Sequence, residues 1–224
     1  MGPELMDGPD FGLEEVRDTF RTLVPVNRWF GGIRPQLSFF RRESQGWNRQ
    51  HTYRVLDVGC GAGDVAVALV RWARRAGYRI QVDGVDHHPL IVDLAREQCR
   101  GYPEISIARG DVLALGGQDY DYVHASQFVH HFSDDQVVPL LRHLLARVRH
   151  KVVVCDLVRA PLAYLATWLF TLGTSPVFRH DARLSVRRGF KVDALEALLR
   201  ADGLGDYRVE RHFFYRFLLI ISKG

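Results

Sequence analysis

An apolar run that ends in an acid and opens onto a glycine turn, Val55-Leu56-Asp57-Val58-Gly59-Cys60-Gly61-Ala62-Gly63-Asp64, constrains this chain more than any other feature. Val65 to Val70 follow as an apolar stretch that reads as a helix. Strand, tight turn and helix are how a parallel α/β sheet presents backbone N–H groups and a helix N-terminus to a nucleotide-like ligand. A dinucleotide cradle needs glycine at the first, third and sixth places so that a pyrophosphate can rest on the helix start. Gly59 and Gly61 fit, but Asp64 holds the last place, and its carboxylate repels phosphate. No Gly-Lys-Ser/Thr follows, so a triphosphate-binding loop is excluded too. The turn predicts a ligand that carries adenosine and positive charge but no phosphate, with Asp57 receiving the cation. A dinucleotide oxidoreductase is the rival that Asp64 disfavours.

Along the chain, strands and helices alternate. Strands are predicted over 54–58, 79–85, 104–109, 120–125 and 151–155, with helices over 63–76, 89–99 and 134–148 between them. Such a β-α-β-α rhythm implies a parallel sheet covered on both faces. Residues 157–190 interrupt it with a short apolar helix over 162–172, then a run containing Arg179, Arg183, Arg187 and Arg188. A helix over 192–201 resumes the rhythm, and 207–210 with 214–222 predict an antiparallel hairpin. Ahead of the first strand, Val16, Phe20 and Leu23 share one helical face over 13–23, and a second helix is expected over 33–40. Residues 1–10, rich in Gly, Pro and Asp, read as mobile. The expected organisation is a helical cap over 1–50 and a cofactor-binding domain over 51–224, with 157–190 as an inserted lid.

Bulk properties bound the partners. At 224 residues, one α/β domain with small additions is the natural size. A net charge of +4 is too small to demand nucleic acid. Cys60, Cys99 and Cys155 lie far apart and odd in number, which points to a reducing cytoplasm rather than a disulfide framework. No signal core and no apolar run long enough to span a bilayer is evident. The oligomeric state is left open.

S-adenosylmethionine (SAM) has the required charge and lacks phosphorus. The glycine segment resembles motif I of the class I SAM-dependent methyltransferases, whose reaction leaves S-adenosylhomocysteine (SAH). Asp86 ends the second strand about 20 residues beyond the turn, the spacing at which an acid accepts ribose hydroxyls; capping of the helix over 89–99 is its plainer role. Asp111, in Arg109-Gly110-Asp111-Val112-Leu113, stands after the third strand where the family places an acid against the adenine amino group. The resemblance implies a Rossmann-like, doubly wound sheet of seven strands ending in an antiparallel hairpin. The expected cofactor-binding set is Asp57, Gly59, Cys60, Gly61, Asp86, His87, Asp111, Val112, Gln127 and Arg28. Arg28, in Asn27-Arg28-Trp29-Phe30-Gly31, resembles the leading helix of quinone-biosynthesis C-methyltransferases and would pair with the cofactor carboxylate.

Groups after the fourth strand lie near the transferred methyl in such a fold, because ligands sit at the carboxyl ends of the strands. Here they are Ser126-Gln127-Phe128-Val129-His130-His131-Phe132. The Asp/Asn-Pro-Pro-aromatic run of exocyclic-amine methylation, the Pro-Cys of cytosine methylation and the paired glutamates of arginine methylation are all missing. The Val-His-His-Phe pattern is similar to many small-molecule methyltransferases. A histidine can take a phenolic or enolic proton as the methyl arrives. His130 is the first candidate and His131 the second, against a structural role at the start of a helix. Asp156 ends the fifth strand without the further Asp or Asn that a metal-dependent, catechol-type site requires, so no metal is expected.

The apolar segment 162–178 suits the wall of a pocket for a hydrophobic aromatic acceptor, with Trp168, His180 and Arg187 as its expected contacts. It suits equally a helix packed on the sheet or a dimer patch; a membrane-surface contact is disfavoured because the helix is short and apolar all round rather than amphipathic. Arg179-His180-Asp181 and Leu184 to Phe190 resemble bacterial methyltransferases that accompany type III polyketide synthases, implying an alkylated phenol, quinol or pyrone as acceptor. The function expected is methyl transfer from SAM to oxygen, or activated carbon, of such a molecule. A catalytically silent SAM-binding protein and an RNA methyltransferase are the alternatives.

Overall fold

A computed structural model describes residues 12–29, 32–115, 120–204 and 206–224; of Leu13 and residues 27–29 it describes the backbone alone. The expectation for residues 1–10 falls outside these.

Two helices, α1 (Leu13–Trp29) and α2 (Arg34–Glu43), lead into the alternating part. There follow β1 (Thr52–Val58), α3 (Asp64–Ala76), β2 (Arg79–Asp86), α4 (Pro89–Cys99), β3 (Ile105–Arg109), β4 (Tyr120–Ser126), α5 (Asp134–Leu145) and β5 (Val148–Leu157). The chain then forms α6 (Pro161–Phe170), α7 (Pro176–Arg188), α8 (Val192–Ala201), β6 (Tyr207–His212) and β7 (Arg216–Ser222). The strands make one sheet of seven, ordered β3-β2-β1-β4-β5-β7-β6. The first five are parallel to one another, and β7 runs antiparallel between β5 and β6. This is the doubly wound, seven-stranded sheet with a C-terminal hairpin that the resemblance implies, and its parallel part is what the sequence rhythm predicts.

Alternation along the strands divides the core between two faces. Val152 and Val154 pack with α5 and α8 through Val137, Leu141, Leu195 and Leu199. Val153 and Cys155 face the other way, in a cluster with Phe39 and Phe40 of α2 and Val65, Leu69 and Val70 of α3. The central strands β4, β5 and β7 are thus buried along most of their length, because they are covered on both faces, while the edge strands β3 and β6 stay largely exposed or half-buried.

Four segments depart from expectation. The helix predicted over 134–148 stops at Leu145. Val148 is buried and pairs with Tyr120, drawing the chain into a longer β5. The arginine-rich run, for which no helix is predicted, is helical: residues 176–188 form α7, with the Ser175 hydroxyl accepting the Phe178 N–H at its N-terminus. The final strand begins at Arg216 rather than 214, since Phe214 (φ 57°) and Tyr215 (φ 53°) turn the hairpin in the left-handed region. The first helix also runs on to Trp29 through Pro25.

Over the carboxyl ends of the parallel strands lie α1 and the α6–α7 pair. Val16 and Phe20 of α1 are buried with Ala62 of the glycine turn and Ile91 of α4. Leu157, Ala163 and Val186 join α6 and α7 to the end of β5. These elements and the strand ends enclose a cavity of about 730 Å³.

Candidate active site

The glycine turn is held open by backbone geometry that side chains would spoil. Gly59 (φ 62°) faces Phe128 so closely that a Cβ would lie 2.3 Å from its ring. Gly61 (φ 52°) lies beneath Phe20. The Gly61 N–H donates to Asp86 Oδ2 at 3.1 Å, and the His88 N–H to Asp86 Oδ1 at 3.1 Å. Asp86 therefore fixes both the turn and the entry to α4. Each of its oxygens keeps a second lone pair for a hydroxyl on the cavity side.

Asp57 is 1% exposed, on the floor of the cavity. Its Oδ1 meets Nδ1 of His124 at 3.0 Å, a pair built directly by the β1–β4 register, in which the two residues are Cα partners. Oδ2 is buried and has no hydrogen-bond partner. A buried carboxylate oxygen without a donor is costly. An ammonium or sulfonium-bearing ligand relieves that cost, so the orphaned oxygen fits the predicted cation. Cys60, beside it, is no nucleophile: burial, with Asp57 and Asp86 nearby, drives its thiol pKa far up.

Asp111 sits on the same wall, its Oδ1 accepting the Leu113 N–H at 2.9 Å. Val112 beneath it is buried, while Leu113 points outward, half exposed and off the wall. His87 lines the rim. Gln127 lines the cavity with φ 51°, a left-handed conformation that a non-glycine residue rarely adopts and that marks functional turns. Asp57, Gly59, Cys60, Gly61, Asp86, His87, Asp111, Val112 and Gln127 thus meet on one surface. Arg28 lies in α1, but its side chain is outside the described atoms.

At the other end, His130 is buried in a short 3₁₀ turn after β4. Its Nδ1 lies 2.7 Å from Asp156 Oδ1, and its backbone N–H donates to Asp156 Oδ2 at 3.1 Å. Burial pushes the Asp156 pKa up, but the His130 charge and hydrogen bond and two backbone N–H groups outweigh it, holding the carboxyl below its ordinary range. Whenever the ring is neutral, an anionic Asp156 holds its proton on Nδ1 and leaves Nε2 as the basic nitrogen. His131 is exposed and stacks on His130 with ring centroids 4.4 Å apart. Both rings line the cavity. Among the described residues, no group of three or more His, Cys, Asp or Glu side chains is arranged to hold a metal ion.

The acceptor-side residues need correction. Trp168, His180 and Arg187 are absent from the cavity wall. α6 turns Ala163, Ala166, Thr167 and Phe170 inward, and α7 turns Phe178, Asp181, Ala182, Ser185 and Val186 inward. Both sets follow the helical i, i+3, i+4, i+7 spacing, which leaves Trp168, His180 and Arg187 off the inner face. The Arg183 guanidinium covers the Trp168 ring, and Arg187 donates to the Tyr164 hydroxyl at 2.7 Å. His180 Nδ1 meets Asp181 Oδ1 at 3.0 Å from a half-exposed position.

Several wall residues had no sequence motif to mark them. Thr19 of α1 and Arg216 are of this kind; Gln36, equally unmarked, donates to the Ser126 hydroxyl on the wall. His124 and Asp156 could have been found only by strand register, since each is buried behind the residue it supports.

Residues 55–151 match a family model described as a methyltransferase domain. No curated protein sequence matches the chain. Solved structures resemble it in fold. A SAM-dependent methyltransferase from Aquifex aeolicus is 16% identical, with TM-score 0.63, covering 96% of this chain and 100% of that one. Magnesium protoporphyrin IX methyltransferase from Synechocystis PCC 6803 with bound SAH is 15% identical, TM-score 0.59, covering 98% and 91%. An O-methyltransferase family 2 protein from Planctomyces limnophilus, in complex with apigenin, is 14% identical, TM-score 0.66, covering 99% and 64%.

Proposed function

We propose that this chain, whose residues 55–151 form a methyltransferase domain within a SAM-dependent methyltransferase fold, methylates an oxygen or activated ring carbon of a small hydrophobic acceptor. The observation that carries the proposal is the composition of the cavity over the strand ends. Three strand-end acids, Asp57, Asp86 and Asp111, line one part of it, and His130, held from behind by Asp156, lines another. The remaining surface is mainly apolar, with Phe132, Phe170 and Phe178 among its side chains.

SAM, when bound, supplies an electrophilic methyl group on a sulfonium. Asp57 would hold the amino group through Oδ2, with His124 fixing the carboxylate rotamer from behind. Asp86 would accept the ribose hydroxyls and Asp111 the adenine amino group, over Val112. Gly59 and Gly61 let the backbone approach without a Cβ in the way. On the acceptor side His130 removes the proton at Nε2, and Asp156 keeps the ring in the tautomer that allows it. Alignment and exclusion of water come from α1, α6 and α7. α1, ahead of the sheet, and the 157–190 segment therefore act as cap and lid. The apigenin bound to the O-methyltransferase relative supports an aromatic acceptor.

The test is incubation with methyl-labelled SAM and a library of phenols, quinols and pyrones, with products read by mass. A methylated phenolic or enolic product is expected. Tight SAH binding without turnover on the whole library would point instead to a silent cofactor-binding protein, and label in RNA to a nucleic-acid enzyme.

A further inference from the structure

One charged wall residue has no role in the scheme above. Arg216 opens β7, beside Leu157 at the end of β5. It is 5% exposed, yet it lines the cavity. Its Nε and Nη1 are buried without hydrogen-bond partners. A buried guanidinium with unused donors is as costly as a buried unpaired acid. Burial lowers its pKa, while Cys155 and Asp156 nearby raise it. Asp156 offsets the charge but gives its hydrogen-bonding capacity to His130 and to the Leu157 N–H.

The sheet order says which ligand those donors serve. Asp57 lies on β1 and Asp86 on β2, while Arg216 lies on β7, beyond β4 and β5. Three strand spacings, about 14 Å, separate β1 from β7. Arg216 stands on the far side of the His130–Asp156 pair from the strand-end acids. The carboxyl edge is therefore polarised: acids where the cationic cofactor would lie, a cation where the acceptor would lie. The other acid on that wall, Asp181, is engaged by His180.

We propose that Arg216 binds an anionic oxygen of the methyl acceptor, so that the substrate class is a hydrophobic aromatic acid carrying a carboxylate or an ionised enol. This rests on the methyltransferase reading. Arg216 anchors the acid by its planar fork of N–H donors while the apolar wall takes the rest of the molecule.

Calorimetric titration of the protein–SAH complex with three probes tests it: a pentylresorcinol, its ring-carboxylated counterpart, and a pentyl-substituted hydroxypyrone. The expected result is that at least one acid binds about thirtyfold or more tighter than the neutral resorcinol, the loss typical of truncating a buried charge pair. The two acids separate carboxylate from enolate recognition. In Arg216→Gln the preference collapses to within about threefold, with SAH affinity and neutral-probe affinity unchanged; Arg216→Lys, which keeps the charge but not the fork, retains part of it. A general structural role for Arg216 would weaken all ligands alike and would not move this ratio. Equal binding of acids and neutral probe, or binding of neither acid, by the wild-type complex overturns the assignment whether or not the variants fold. Failure of SAH itself to bind the wild-type protein overturns the underlying function instead.

Discussion

Asp57 concentrates the electrostatics of the cofactor side in one atom. Its Oδ1 is satisfied by His124 and its Oδ2 by nothing in the protein. Asp57→Asn keeps the shape and removes the charge. It should weaken SAH binding about 10- to 100-fold in calorimetry, from the ~1.5–3 kcal/mol of a hydrogen bond to a charged group. An unchanged affinity would mean that the cation is held elsewhere. His130 is expected to act on the chemical step alone: His130→Gln should lower kcat by about a hundredfold or more at nearly constant SAH affinity. Asp156 adds a pH signature. Its folded pKa lies below the usual carboxylate value of about 3.9, so its ionised form stabilises the fold above about pH 4. That contribution is lost as pH falls through the lowered folded value. Urea denaturation should therefore show a stability gap between wild type and Asp156→Asn near neutrality that narrows in acid; a gap independent of pH would remove the ion from the account. The acids were legible because each ends a strand at a motif spacing. Their partners were not, because His124 and Asp156 meet their targets through strand register and a turn, which no local pattern encodes.

The element that bears most on the cofactor is the turn between β1 and α3. Gly59→Ala places a methyl group 2.3 Å from the Phe128 ring at φ 62°. Left-handed strain and the clash together should cost at least about 2 kcal/mol, lowering the melting temperature by several degrees and abolishing SAH binding. Gly46→Ala, where nothing lies within 4 Å of the added Cβ and φ is not positive, serves as the control and should stay within about 0.5 kcal/mol of wild type. Elements with a strong period were readable at this scale; α4 is found over the predicted residues 89–99. α7 was missed for a physical reason. Its inward positions Phe178, Ala182 and Val186 repeat at the helical interval, but Arg179, Arg183, Arg187 and Arg188 fill the spaces between and make the segment look like a solvated loop. Once α7 is a helix, the same spacing decides which of its side chains face the cavity, and it excludes His180 and Arg187.

At the scale of the whole molecule, the site is a seam between parts of the chain far apart in sequence. α1, the glycine turn, the turns after β2 and β4, α6, α7 and the β6–β7 hairpin all contribute wall. Parallel strands force this: each crossover returns the chain to the same edge, so every strand delivers its next turn to one rim. The alternation of strands and helices could be anticipated from the rhythm, but not the sealing of the rim by α1 and α6–α7, which depends on tertiary packing between segments about 140 residues apart. A ligand that bridges such a seam stabilises all of it together. SAH at a hundred times its dissociation constant adds about 2.7 kcal/mol to the folded state. For a chain of this size, each kcal/mol raises the melting temperature by about 2–4 °C. A thermal scan with SAH should therefore show an upward shift of about 5–11 °C. NAD at the same concentration should leave the transition where it was, because Asp64 and the strand-end acids repel its pyrophosphate. A shift with NAD and none with SAH would reverse the charge argument on which the site is built.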